Sequence, residues 1–600
     1  MKRVLLVCLA ALLVGLPLVT TGAGKAKAAT QRVTQTGYIT VRDGTQLKYT
    51  VVRPAGTGPF PTLFTYDGYD AGSNPDPGYI AQYVPEGYAF IGVSLRGTGC
   101  SGGVWDFFQP AEAKDGVDAI RWIAAQPWSN GKVAMIGKSY PGITQLFVAE
   151  EAAAEEAAGH PVPLVAIAPG HTYGDIYRDV AYPGGIFNYS FASLWSFVAQ
   201  PEPSYAAAFD GVTAGDQTCA ANQANRPQNI PKNAFLQAAQ NPFDDALTRE
   251  RSPIYNIDKI NVPTYTVISW QDEQVGPRSV DWLTDFNSKV PLYATVTNGD
   301  HGMYRTPDSL ADLNKFFDHY LKGINNGYEK TQRIRVWWDS GRNSKDPRGP
   351  GWVTSVSQYP PKTNTERWYL NQGNALSTSK GSGLPDPYAY AGPTGQGIQN
   401  PAYSGVTSQP NVYLWSVKPV PGTNAAYTSA PLTKDTAVLG SGSLDLWLAS
   451  TAVDTDLQVT ISEVRPDGQE EYVQAGWLRA SHRKLDPTQS TATRPYQTQL
   501  QSDQQPLTPG TPTPMRIEIF PFGHVFRAGS RIRISVEAPK FLPELWGFAA
   551  LPIPATNLVY HDAAHPSSLA LAVLPGFTVP AADRLLPACG SLIRQPCRPA

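Results

Sequence analysis

The sequence predicts an α/β domain on a parallel sheet, interrupted by a helical insertion and followed by an all-β sandwich. Three features carry this expectation. Short apolar runs alternate with helical patterns from about residue 33 to 169 and return after residue 254. The stretch between them is rich in Ala and aromatic residues and poor in strand-like runs. After about Trp352 the pattern turns to period-two alternation, as in Leu444-Asp445-Leu446-Trp447-Leu448 and Arg531-Ile532-Arg533-Ile534-Ser535-Val536. A chain of 600 residues exceeds what one hydrophobic core serves, so several domains are expected. Its 53 Gly and 54 Pro fit a turn-rich chain with a large β component.

The N-terminus reads as a secretory signal peptide over residues 1–28. Met1-Lys2-Arg3 is basic, Val4 to Val19 is apolar, and Ala26-Lys27-Ala28 offers a small-residue cleavage site. The apolar run is short for a membrane span, and no later stretch approaches that length. A secreted protein with no membrane partner after cleavage is therefore expected. Removing 1–28 takes away four basic residues and no acidic ones, moving the net charge from −2 to −6. With no basic run, nucleic acid is not an expected partner. Four cysteines remain. Cys589 and Cys597 are close in sequence and are expected to pair; Cys100 and Cys219 pair by elimination or stay as buried thiols.

Taken in order, Val33 to Val51 gives short β segments around a turn at Arg42-Asp43-Gly44. Thr62–Thr65 and Tyr88–Val93 read as strands. Asp115 to Gln126 is an amphipathic helix with Val117, Ile120 and Ile123 on one face. Val133–Ile136 is a strand, Ile143 to Ala158 a helix, and Leu164–Ala168 a strand. Strand-like runs return at Pro263–Ser269 and Leu292–Thr297, before a helix at Ser309 to Gly323. The α/β domain is thus expected over 29–170 and 254–350, with a helical cap inserted at 171–253. The cap aromatics, Tyr173, Tyr177, Tyr182, Phe187, Tyr189, Phe191 and Trp195, either line a pocket or form the cap's own core. Residues 351–600 form the expected sandwich, with a hairpin turn at Pro466-Asp467-Gly468 and a long surface loop at 373–412.

Gly137-Lys138-Ser139-Tyr140-Pro141-Gly142 sits between an apolar strand and a helix, the setting of a nucleophile elbow. Small flanking residues permit the tight turn, and the helix start aims backbone N–H groups at a developing oxyanion. Pro141 suits the first helical turn. In α/β-hydrolases the acid and then the histidine follow the serine, each after a late strand. Here the run to Ser269 ends in Trp270-Gln271-Asp272, and the run to Thr297 ends in Asn298-Gly299-Asp300-His301. Ser139, Asp272 and His301 are the expected triad: nucleophile, orienting carboxylate and general base. Asp300 and Glu273 compete for the acid role. His561 and His565 stand four apart but lack a third ligand. No H-E-x-x-H, C-x-x-C or G-x-G-x-x-G motif is present, so neither metal nor cofactor is expected.

The sequence resembles the cocaine-esterase and X-prolyl dipeptidyl-peptidase group of α/β-hydrolases. Val41-Arg42-Asp43-Gly44-Thr45-Gln46-Leu47, Gly137-Lys138-Ser139-Tyr140-Pro141-Gly142, Trp270-Gln271-Asp272-Glu273-Gln274-Val275-Gly276 and Asp300-His301-Gly302 match its motifs. Arg96-Gly97 with Ser101-Gly102-Gly103 matches a further loop, although Ser94 stands where an Asp is usual. Ser450 to Asp456 and Gly529 to Arg533 resemble motifs of its C-terminal jelly roll. The resemblance implies an oxyanion hole made of a tyrosine hydroxyl and the N–H after the nucleophile. These are Tyr69, with Tyr66 as the alternative, and the N–H of Tyr140. It also implies a small ester or short peptide substrate. Esters, prolyl peptides and β-lactam side-chain amides are all cleaved within the group. Gln274 and Val275 occupy the places where its α-amino-acid ester hydrolases carry amine-binding carboxylates. A non-catalytic, carbohydrate-binding surface protein is the reading from another class, and the full set of Ser139, Asp272, His301 and Tyr69 counts against it.

Overall fold

The computed structural model describes residues 31–226, 232–343, 346–390, 415, 418–539 and 546–600. The expected signal peptide lies outside these residues. A ten-stranded sheet is formed by β1 (Arg32–Thr40), β2 (Gln46–Pro54), β3 (Phe60–Asp67), β4 (Ala89–Ser94), β5 (Ser129–Lys138), β6 (Leu164–Gly170), β7 (Thr264–Ser269), β8 (Leu292–Thr297), β9 (Ile334–Trp338) and β10 (Trp352–Val356). Its order is β1-β2-β4-β3-β5-β6-β7-β8-β9-β10. From β4 to β9 every neighbouring pair is parallel, and β1, β2 and β10 close the edges antiparallel. With β10 the sheet runs past the boundary expected at residue 350.

The parallel strands are apolar on both faces because helices cover both. Leu63, Ile136, Ala168 and Val267 pack with Leu313, Phe316 and Phe317 of α10 (Pro307–Tyr320) and with Tyr79 and Tyr83 of α1 (Pro77–Tyr83). Phe64, Met135, Ile167 and Ile268 belong to the opposite core, with Val117, Ile120 and Ile123 of α2 (Pro110–Ala124) and Ile143 and Leu146 of α3 (Tyr140–Ala157). α2 begins earlier than its apolar stripe suggests because Pro110 can open a helix, where its missing N–H costs nothing. The chain leaves β3 for β4 on one side and reaches β5 on the other. A crevice therefore opens at the carboxyl ends of β3 and β5, where open α/β sheets place their ligands.

The insertion after β6 contains α4 (Tyr189–Leu194), α5 (Pro201–Thr213), α6 (Gln217–Asn225), α7 (Ala234–Gln240) and α8 (Ala246–Glu250). It is fastened to the loop after β4. The Cys100–Cys219 disulfide joins that loop to α6 across a sequence separation of 119. Asn222 Nδ2 donates to Cys100 O at 2.9 Å, and Arg226 Nη2 donates to Gly99 O and Ser101 O at 2.9 Å each. α9 (Trp282–Asp285) follows the acid loop.

The C-terminal region is β-rich, with β11 (Asn364–Asn371), β12 (Ala375–Ser377), β13 (Asp386–Tyr390), β14 (Asn424–Ser429), β15 (Thr436–Ser450), β16 (Asp456–Val464), β17 (Gln469–Arg479), β18 (Thr513–Phe526), β19 (Arg531–Glu537), β20 (Ala555–Tyr560), β21 (Ser568–Val573) and β22 (Cys597–Pro599). Long β15 pairs with β18, β20 and β21, and β16 lies between β17 and β19. Two of these strands correct the expected loop at 373–412. β12 and β13 lie inside it, with Leu376, Tyr388 and Tyr390 buried. Their Gly-, Ser- and Pro-rich surroundings hide alternations of only three and five residues. Residues 391–412 lie outside the described residues. Cys589 and Cys597 form the second disulfide, eight residues apart.

The long-range disulfide restricts the unfolded chain more than the local one does. Replacing both Cys100 and Cys219 by Ser is expected to cost about 2–4 kcal/mol in a denaturant titration and to speed proteolytic nicking of the insertion.

Candidate active site

Ser139 ends the turn between β5 and α3 with φ 65° and ψ −134°. A left-handed serine costs on the order of 1–3 kcal/mol and persists because its surroundings fix it. Its N–H donates to Gly170 O at 2.9 Å, and its carbonyl accepts from Gly142 N at 2.7 Å and Ile143 N at 2.8 Å. The glycine spacing follows from contact. A Cβ on Gly137 would lie 2.7 Å from the Pro141 Cβ, and one on Gly142 would lie 2.6 Å from Gly170 O. The N–H of Tyr140 opens α3, where no helix carbonyl can accept it.

Asp272 and His301 come together at the ends of β7 and β8. His301 Nδ1 donates to Asp272 at 2.8 Å (Oδ2) and 3.0 Å (Oδ1). Both residues are buried. Among the described residues, His301 Nε2 is buried without a hydrogen-bond partner. Asp272 Oδ1 also accepts from Gln274 N at 2.8 Å and Val275 N at 3.0 Å. Burial pushes the Asp272 carboxyl up, but the charge of His301 and hydrogen bonds from His171 and His301 outweigh it and hold the group far below the usual carboxylate range. Burial lowers His301 below the ordinary imidazole value, against the pull of Asp272, and Lys138 lowers it further. The competing carboxylates are engaged elsewhere. Asp300 bonds Arg348 and accepts from Gly302 N at 2.8 Å, while Glu273 accepts from the backbone N–H of His301 at 3.1 Å.

His171 was not foreseen. It follows β6 directly, fully buried with φ 47°, and its Nδ1 lies 2.9 Å from Asp272 Oδ2. Its position just past a sheet strand is the one signal that could have marked it. Donor atoms of His171, Asp272 and His301 lie within 4.8 Å of one another. Both His171 nitrogens are engaged, since Nε2 accepts from Tyr304 N at 3.2 Å. The three therefore form a hydrogen-bonded cluster rather than a set of open ligands.

Across the crevice, the Tyr69 hydroxyl lies beside that of Ser139 and accepts from Trp195 Nε1 at 3.3 Å. Burial pushes the Tyr69 phenol up to about 12, so it remains a donor. Tyr66 points away, donating to Glu112 O at 3.1 Å. The Tyr140 ring is buried and its hydroxyl accepts from Trp105 Nε1 at 2.9 Å. A pocket opens on Ser139 beneath the insertion, walled by Phe108, Tyr173, Tyr182, Phe191, Trp195 and Val275 among others. Of the sequence's cap aromatics, Tyr173, Tyr182, Phe191 and Trp195 line this pocket, while Tyr177 and Phe187 each stack on Tyr182.

The C-terminal region reaches the back of the site. Gln474 Nε2 donates to Trp270 O at 2.7 Å, and Gln271 Nε2 donates to Val473 O at 3.0 Å. Gln271 Oε1 accepts from Gly299 N at 3.1 Å, tying the acid loop to the histidine loop. Within the ring closed by Cys589–Cys597, Arg594 pairs with Glu273 at 3.3 Å and stands 3.9 Å from Asp300.

The sheet order and the serine at its strand-to-helix turn place the chain among the serine hydrolases of α/β-hydrolase fold. The model of the X-Pro dipeptidyl-peptidase (S15) family matches residues 43–303, and the model of the X-Pro dipeptidyl-peptidase C-terminal non-catalytic domain matches residues 326–570. A Mycobacterium bovis protein named as a serine esterase is 26% identical, covering 90% of this chain and 95% of its own. The cocaine esterase of a Rhodococcus strain is also 26% identical, covering 84% and 90%. Among solved structures, a Staphylococcus aureus CocE/NonD family hydrolase superposes with TM-score 0.72 at 22% identity, covering 93% of this chain and 98% of that one. An α-amino acid ester hydrolase gives TM-score 0.68 at 19% identity, covering 93% and 99%. Both share the fold.

Arg594 and Glu273 are both buried, and removing one partner strands the other's charge. Arg594→Ala is expected to cost about 3–5 kcal/mol in chemical denaturation, with part of that recovered when Glu273→Gln is added.

Proposed function

We propose that this chain is a secreted acyl esterase acting through Ser139, His301 and Asp272. Ser139 Oγ attacks the ester carbonyl carbon while His301 Nε2 takes its proton. Asp272 stabilises the imidazolium and fixes its orientation. Negative charge developing on the carbonyl oxygen is met by the Tyr69 hydroxyl and the Tyr140 N–H. Collapse expels the alcohol, which takes the proton from His301. Water, deprotonated by His301, then attacks the acyl-enzyme and releases the acid and free Ser139.

One observation carries the choice of ester over dipeptide. The pocket on Ser139 is walled by aromatic and aliphatic side chains, and among its described lining residues there is no carboxylate. Its charged member is Arg251, paired with Asp106 at 3.1 Å and Glu250 at 3.0 Å. An apolar acyl group gains by burial there, whereas the free amine of a dipeptidyl substrate would meet no counter-charge. β-Lactam side-chain acylation is disfavoured on the same ground where the acyl group carries an amine.

Two measurements test this reading. The mature protein is expected to react with a fluorophosphonate probe and to hydrolyse p-nitrophenyl esters of apolar acids but not Gly-Pro-p-nitroanilide, with labelling and turnover lost in Ser139→Ala. Turnover of the anilide at comparable kcat/KM would transfer the chain to the peptidases. In the pH profile of kcat/KM, the base form of His301 persists into acid because burial lowers its pKa. Activity should therefore fall only as pH drops through a value below about 6.5, and an acid limb above that value contradicts the assignment.

A further inference from the structure

The hydrogen bonds of Asp272 divide unevenly between its two oxygens. His301 Nδ1 reaches both; beyond it, Oδ1 is held by the N–H groups of Gln274 and Val275, whereas Oδ2 is met by one other donor, His171 at 2.9 Å. The tautomer of His171 is set by its surroundings. Its Nε2 accepts the backbone N–H of Tyr304 at 3.2 Å, and a nitrogen that accepts there carries no hydrogen. The ring hydrogen is therefore on Nδ1, aimed at Asp272. The His171 ring stands 5.2 Å from that of His301, centroid to centroid. Its backbone is equally constrained, since its N–H donates to Val267 O at 3.1 Å and the adjoining Gly170 carbonyl holds Ser139 N. One buried imidazole thus links the end of β6, the acid loop after β7 and the histidine loop after β8.

We infer that His171 is a positioning residue of the hydrolytic site, a second donor to Asp272 that fixes the carboxylate against rotation and moderates the charge His301 senses. This rests on the triad assigned above. The other charged groups around the pair are Glu273, which accepts from His301 N, Lys138, whose Nζ donates to His301 O at 3.0 Å, and Asp300 with its partner Arg348. Arg594 lies behind Glu273 and Asp300. None of these donates to Asp272 Oδ2 among the described residues, so His171 has no stand-in.

Removal of the donor has a direction. With His171 absent, Oδ2 turns its full charge on His301, and a nearer negative charge favours imidazolium. The base form is then lost at higher pH, and the acid limb of kcat/KM moves upward. His171→Leu removes the donor, while His171→Asn keeps an N–H near the place of Nδ1. The expected results are a roughly 10–100-fold fall in kcat for His171→Leu with KM changed little, an upward shift of its acid limb, and substantial recovery of both by His171→Asn. Fluorophosphonate labelling of the wild type separates the two readings. An unlabelled wild type overturns the triad and this inference together. A labelled wild type with His171→Leu matching it in kcat and acid limb overturns this inference alone. Should His171→Leu fail to fold, low-field proton NMR of the wild type decides. Two imidazole N–H resonances are expected, one from each ring that donates to Asp272, and a single resonance overturns the inference.

Discussion

Asp272 puts a negative charge where almost no water reaches, and the local architecture is arranged around that fact. An uncompensated buried carboxylate costs several kcal/mol. Here two backbone N–H groups from its own loop and two imidazoles from neighbouring loops replace the lost hydration. Each donor comes from the carboxyl end of a sheet strand, so the compensation exists only when β6, β7 and β8 are in register. The charge and the sheet are mutually dependent: the strands deliver the donors, and the carboxylate holds the three loops in place.

The same loops are braced from outside the hydrolase sheet. Gln271 and Gln474 exchange side-chain hydrogen bonds for backbone ones across the boundary with the C-terminal region, and Arg594 places a cation behind Glu273. Because Glu273 in turn accepts from the His301 backbone, displacement of the C-terminal loop would be felt at the imidazole through two contacts. A domain that contributes no reacting atom thereby takes part in the precision of the site.

Much of this was legible in the sequence, for identifiable reasons. The glycines at 137 and 142 advertise the turn because backbone and proline approach too closely for any side chain. Asp272 and His301 could be found because each follows an apolar run that can only be a late strand. His171 escaped because it opens the insertion, where composition points to a cap and no motif marks a lone histidine. Arg594 escaped because nothing local ties residue 594 to residue 273; the link exists only in three dimensions. β12 and β13 were hidden by the opposite effect, being too short for an alternating pattern to rise above loop-like composition.

The fastening of the insertion to the loop after β4 has a further consequence. Many enzymes with roofed pockets admit substrate by swinging the roof aside. Here a covalent bond and several buried hydrogen bonds anchor α6 to the α/β body, so α6 cannot act as the free end of a hinge. The insertion's share of the pocket lining comes from residues 173–196 and 234–251, outside α6, so the anchored helix is a fixed post beside the roof and not a part of it.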